Sequence, residues 1–231
     1  MFKKIKKAIL VSGAVVLLGV LFAACGTSSP FGRYERNLSE LRDNVFVAYD
    51  DYMRIEVVSG RREEPFVIDG SSGESVPFTV ITITPTAEAR RDSFSYRVSM
   101  NDAEFTGNFL PHPFLDTFSC DIAASTSDRT ITVVVTGGDD IERTFELTSI
   151  VNDEMIKAED AFLIARERLD ASLTDFMSGN RLNAEIYIRL VTNPITSSDV
   201  FFWYVAFVTP DSQTFAVLVD PMSSEILAVR E

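Results

Sequence analysis

The chain holds one histidine, His112, and two cysteines, Cys25 and Cys120. Histidine is the usual general acid or base near neutral pH. His112 sits in Leu110-Pro111-His112-Pro113-Phe114, where the prolines favour an extended backbone. No serine or cysteine stands in a nucleophile elbow of the G-x-S-x-G kind, so His112 reads as a surface-loop residue. Zinc wants several closely spaced His or Cys ligands, and this composition does not supply them. Calcium wants clustered oxygens. Asp69-Gly70-Ser71-Ser72-Gly73-Glu74 and Gly137-Gly138-Asp139-Asp140 come nearest, but neither follows the D-x-[DN]-x-[DN]-G loop. Both read as strand connections. Carboxylate pairs of the glycosidase kind depend on separation in space, which spacing along a chain does not give. Asp50-Asp51 and Glu63-Glu64 read as solvated loop charges. No glycine-rich loop that would cradle a phosphate is present, and no cofactor or metal is expected. Phe118, Cys120 and Ile122 alternate with Ser119 and Asp121, so Cys120 reads as a buried, unreactive thiol.

One group of residues suggests binding rather than catalysis. Phe201, Phe202, Trp203, Tyr204, Phe207 and Phe215 crowd into fifteen positions. On a strand, Phe201, Trp203, Val205 and Phe207 face one way, while Phe202, Tyr204, Ala206 and Val208 face the other. One face should meet a helix. The other is apolar too and needs a cover, which is either the rest of the chain or a partner protein or peptide. Phe202, Tyr204 and Phe215 are the residues proposed to touch such a partner.

The elements that position these groups are mostly strands. From residue 37 to residue 151 the apolar period is two, as in Met53-Ile55-Val57, Phe94-Tyr96-Val98-Met100, Ile131-Val133-Val135 and Phe145-Leu147. Turn signals separate the runs, among them Ser59-Gly60 and Asn101-Asp102. Seven or more short strands predict an antiparallel β-sandwich, immunoglobulin-like in general shape but without the disulfide and Trp of antibody domains. From residue 152 the period changes. Ala158, Ala161, Phe162, Ala165, Leu169, Leu173 and Phe176 form one stripe on a helix of about 20 residues, with Gly179-Asn180 as its stop. Four strands follow, over 184–190, 200–208, 214–219 and 225–229. The expected fold is therefore mainly β with an α+β C-terminal unit, one helix packed on a four-stranded antiparallel sheet.

The N-terminus reads as a signal. Four lysines (Lys3, Lys4, Lys6, Lys7) precede an apolar stretch from Ala8 to Phe22, and then comes Ala23-Ala24-Cys25-Gly26. About 15 apolar residues are short for a bilayer span. The small residues before Cys25 resemble the lipobox of bacterial lipoproteins, although Phe22 stands where an aliphatic residue is usual. The resemblance implies that Cys25 is acylated and becomes the mature N-terminus, on the cell membrane or outer membrane and facing away from the cytoplasm. A plain secretory signal and an uncleaved anchor are the alternatives. The expected parts are 1–24 signal, 25–36 tether, 37–151 sandwich and 152–231 helix-plus-sheet unit. The signal holds four of the 21 basic residues and none of the 34 acidic ones, so the remainder carries a formal charge of −17. So acidic a body does not suit nucleic acid.

The last unit resembles the PepSY domain family. The likeness rests on the helix opening Lys157-Ala158-Glu159-Asp160-Ala161-Phe162, on Trp203-Tyr204-Val205, and on Val219-Asp220-Pro221-Met222-Ser223-Ser224-Glu225-Ile226-Leu227. Ser224 stands where that family usually has glycine. The resemblance implies binding or restraint of a peptidase, or sensing, and no catalytic residue. Together these features predict a lipid-anchored, non-catalytic binding or regulatory module. A carboxylate hydrolase of envelope polymers and a purely structural envelope lipoprotein remain the alternatives.

Overall fold

The computed structural model describes residues 31–138, 140–192 and 200–231. The signal, Cys25 and residues 26–30 of the expected tether lie outside these residues. Among the described residues no helix is long and apolar enough to cross a membrane. Tyr34–Glu231 forms one compact unit.

The fold is mainly β. A 3-10 helix, Gly32–Asn37, opens it, with Tyr34 buried and its ring 5.0 Å from that of Phe162. The body therefore begins before residue 37, inside the segment expected to be tether. Three long strands follow, β1 (Leu38–Tyr49), β2 (Met53–Glu64) and β3 (Glu74–Pro85). Then come β4 (Ser95–Met100), β5 (Ala103–Asn108), β6 (Leu110–Pro111), β7 (Phe118–Ile122), β8 (Thr130–Gly137) and β9 (Ile141–Thr148). The helical segment is α1 (Ala158–Arg168), the single turn α2 (Asp170–Leu173) and a 3-10 turn, Thr174–Phe176. Strands β10 (Met177–Ser178), β11 (Arg181–Leu182), β12 (Glu185–Thr192), β13 (Phe201–Val208), β14 (Thr214–Val219) and β15 (Ile226–Arg230) complete the chain.

Two main sheets form. One has nine strands in the order β15-β14-β13-β12-β1-β2-β3-β7-β6, and the other has four in the order β5-β4-β8-β9. The alternating apolar residues of both enter one core. Ile55, Val57, Ile81 and Ile83 from the large sheet meet Val98, Ile131, Val133 and Val135 from the small one. Each is under 4% exposed, as period-two patterning requires when one face is buried.

The large sheet runs through the expected boundary at residues 151–152. β1 pairs in parallel with β12, with Leu38 opposite Ile186 and Leu41 opposite Ile188. The expected four-stranded meander is present as β12–β15, but it is part of the larger sheet and not a separate one. Because β1 and β12 run the same way, the large sheet has two distinct ends. The entry end holds the starts of β1 and β12 and the β2–β3 loop. The far end holds the β1–β2, β6–β7 and β14–β15 connections, the end of β12 and the start of β13.

β1 leaves β12 after a bulge between Arg42 and Asn44. Opposite that bulge stands Gly60 of β2, where a Cβ would lie 1.9 Å from the Leu41 carbonyl oxygen. Only glycine lets the strands approach this closely. Beyond the bulge β1 turns to the segment after β9, where the Ile150 amide donates to the Val45 carbonyl at 2.9 Å.

The helix is shorter than the apolar stripe suggests. The Asp160 carboxylate accepts the Lys157 amide at its start, at 3.2 Å, as in the second half of a capping box. Ala161, Phe162 and Ala165 are buried against the sheet. At Leu169 the backbone departs from helix (φ −97°, ψ 11°). The bend keeps Leu169 and Leu173 fully buried in the turns that follow. Gly179-Asn180 does not stop the helix; it turns β10 into β11, with Gly179 at φ +62°.

Candidate functional site

The residues that carry the PepSY resemblance meet at one place. The Trp203 indole N–H donates to the Ile156 carbonyl at 3.0 Å, and the Ile156 amide donates to the Pro221 carbonyl at 2.8 Å. The Asp220 carboxylate accepts the Met222 and Ser223 amides at 2.8 Å each. The Ser223 and Met222 amides hold the Asp220 carboxyl below its usual range. Ser224 sits in the left-handed region at φ +65°, which explains why a glycine suits that position. These groups fasten the helix entry to the far end of the sheet.

The three residues proposed to touch a partner do not share one face. Phe215 lies directly opposite Phe207 in register, hence on the helix side. It is buried, with its ring 5.7 Å from that of Phe176. Phe207 meets Phe162 of α1 at 5.9 Å. Phe202 and Tyr204 are half-buried on the opposite side. There Tyr204 packs on a small cluster of Tyr187, Ala206, Val208 and Ala216. The β2–β3 loop covers part of this face. Its Phe66 ring stands edge-on to Tyr187 at 6.3 Å. Gly70 (φ +84°) lies so close that a Cβ would fall 2.4 Å from the Pro210 Cα.

Three glutamates are buried where β2, β1 and β12 run side by side. Glu40, Glu63 and Glu185 are 2%, 1% and 0% exposed. Arg42 meets Glu40 at 2.7 Å, and Arg189 bonds its other oxygen. Glu185 accepts the Tyr187 hydroxyl at 2.6 Å and the Asp69 and Ser71 amides at 3.2 and 2.9 Å. Glu63 accepts the Gly73 amide at 2.6 Å, and its second carboxylate oxygen has no hydrogen-bond partner among the described residues. Burial pushes the Glu63 carboxyl up; the Gly73 amide opposes this and the Glu185 charge adds to it. Burial likewise raises the Tyr187 phenol, and its bond to Glu185 raises it further. Glu63 is therefore a buried strand residue, not the solvated loop charge its neighbours suggested.

In chemical terms this cluster is a clamp. Glu63 and Glu185 accept amides of the β2–β3 loop while Glu40 pairs with two arginines, and none of the three is open to a polymeric substrate. Among the described residues no group of three or more His, Cys, Asp or Glu side chains could hold a metal ion. Asp69 uses its carboxylate to accept the Ser71 amide. Cys120 is buried, and burial pushes its thiol up to about 12. The His112 Nδ1 accepts the Phe114 and Leu115 amides at 3.2 and 3.0 Å. It thereby holds a tight turn from which Phe114 projects, 91% exposed.

The exposed apolar side chains are unevenly placed. Of the twelve large ones among the described residues, nine lie at the far end. They are Tyr49 and Tyr52, Leu110, Phe114 and Leu115, Val200, and Met222, Ile226 and Leu227. A groove of about 320 Å³ opens at this end beside Tyr49, lined by Val47, Tyr49, Ile150, Met155 and Phe201. It lies where β1 has parted from β12. The remaining three, Phe66, Val67 and Ile68, form the tip of the β2–β3 loop at the entry end.

No family model, curated protein or solved structure matches this chain.

Proposed function

We propose that this chain is a lipid-anchored envelope protein, acylated at Cys25, whose body is a non-catalytic protein-binding or regulatory module. The observation that carries the reading is the groove of about 320 Å³ at the far end of the large sheet, with nine exposed apolar side chains spread along the loops and strand ends of that end. Exposed apolar grooves mark interaction surfaces, and this one lies opposite the end where the chain enters β1. The two sheets around one core are read here as a β-sandwich of immunoglobulin-like shape, and β12–β15 with α1 as a PepSY-like unit. That likeness makes a peptidase one class of partner. The hydrolase alternative needs an open carboxylate pair; the buried state of Glu63 and Glu185 weighs against it.

Site-specific photocrosslinking in the native envelope tests the reading. A photoreactive residue at Tyr49 or Phe114 is expected to capture a discrete protein, while one at exposed Arg97 on the four-stranded sheet does not. Equal labelling from all three positions, or none from the far end, would overturn it.

A further inference from the structure

We propose that the β2–β3 loop is a membrane-contact wedge, whose tip Phe66-Val67-Ile68 seats in the interfacial zone of the bilayer. The proposal rests on the anchored reading of the N-terminus.

Three consecutive apolar side chains at 42%, 46% and 58% exposure are unfavourable on a surface that meets only water. Yet this tip is held in place, with Phe66 edge-on to Tyr187, and not left loose. Glu185 accepts the Asp69 and Ser71 amides, Glu63 accepts the Gly73 amide, and Gly70 is pressed against Pro210. A loop fixed by buried acids on one side presents its apolar side chains in one direction.

Its position selects the occupant. The Ser72 hydroxyl donates to the Arg36 carbonyl, which ties the loop to the residues leading into β1. Cys25 stands nine residues before Tyr34, and nine extended residues reach at most about 30 Å. A lipid on Cys25 therefore keeps the bilayer surface within that distance of Tyr34. Arg36, which is exposed, stands at the same entry point, where it suits a lipid phosphate. A bilayer fits an apolar tip at the chain-entry end better than a soluble partner, which would have to slip between body and membrane.

The test uses the full processed chain in vesicles of phosphatidylethanolamine and phosphatidylglycerol whose acyl chains carry bromine. The native Trp203 is 1% exposed and serves as the internal control for folding. Val67→Trp is expected to show blue-shifted emission and to lose roughly half or more of it to bromine, as an interfacial side chain does. Leu115→Trp at the far end is expected to show neither effect. Mass spectrometry of the same material reads the acylation of Cys25. If Cys25 carries lipid and the indole introduced by Val67→Trp is unquenched, the wedge is wrong and the anchor stands. If Cys25 is unmodified and the chain does not float with vesicles, both fall. A blue shift that depends on protein concentration and ignores bromine would assign the tip to a second copy of this chain and overturn the lipid assignment.

Discussion

Replacing Glu185 with alanine tests whether a buried acid fixes the β2–β3 loop. Three donors lose their acceptor: the Tyr187 hydroxyl and the Asp69 and Ser71 amides. A hydrogen bond to a charged group contributes about 1.5–3 kcal/mol, and a buried donor left unpaired costs about 1–3 kcal/mol. These figures do not simply add. The loop amides recover water once the loop swings out, so their loss is bounded by the loop's own docking. Removing the Glu185 charge also relieves Glu63, whose ionised form it disfavours. The expected net loss is about 3–4 kcal/mol. Glu185→Gln keeps an oxygen for the loop amides and turns its NH₂ toward the Tyr187 oxygen, so its expected loss is about 1 kcal/mol. Urea unfolding measures both. Chymotrypsin cleavage after Phe66 reports the loop separately and is expected to speed up in the alanine variant below the unfolding transition. A loss under about 1 kcal/mol for Glu185→Ala, with Phe66 as protected as in the parent, refutes the clamp.

Glu63→Gln is expected to change the pH dependence of stability. A raised folded pKa means the native chain holds the Glu63 proton more tightly than the unfolded chain, so its contribution is greatest in acid and is lost as pH rises from 4.5 through the folded value. The melting-temperature difference between variant and parent should grow more positive from about pH 4 to about pH 7; a flat difference contradicts the burial argument. Ser224→Gly removes a left-handed serine at φ +65° and is expected to gain about 0.5 kcal/mol in denaturant unfolding; a loss would mean the turn needs the serine. Cys120, with its thiol pushed up to about 12, should resist iodoacetamide in the native chain and react fully in urea. Peptide mapping that finds it alkylated in the folded state would show the site to be open.

The strands were legible because each carries its own signal. Met53, Ile55 and Val57 alternate with polar neighbours, and all three are buried. The stripe Ala161, Phe162, Ala165 is buried as its helical period requires. Pairing was not legible. Periodicity tells which face a residue takes, not which strand lies beside it, so nothing local announced that β1 would run parallel to β12. Parity across a turn has the same weakness. Phe215 joins the helix face because Phe207 lies opposite it in register, and composition alone leaves that choice open. The clamp was hidden for a further reason. Glu185 takes amides from a loop 116 and 114 positions earlier in the chain, and a carboxylate is normally read as solvated because its burial is costly. Only the fold supplies the donors that offset that cost.

The parallel junction also gives the molecule a direction. In a free antiparallel meander the two ends are alternately visited, and neither is tied to the entry of the chain. Here β1 and β12 start together, so the clamped apolar tip and the chain entry share one end while the nine exposed apolar side chains share the other. β1 has 12 residues, which at ~3.3 Å each separate the ends by about 40 Å. On the proposed anchoring, the far loops would stand that far above the bilayer with the body held in one orientation by lipid and wedge together. A loose tether alone would let the acidic body tumble and present any face. Loss of the wedge should therefore blur which surface meets the partner without releasing the chain from the membrane. The photocrosslinks from Tyr49 and Phe114 would weaken together when Phe66, Val67 and Ile68 are replaced by serine. If those crosslinks keep their full yield in the serine variant, orientation does not depend on the loop.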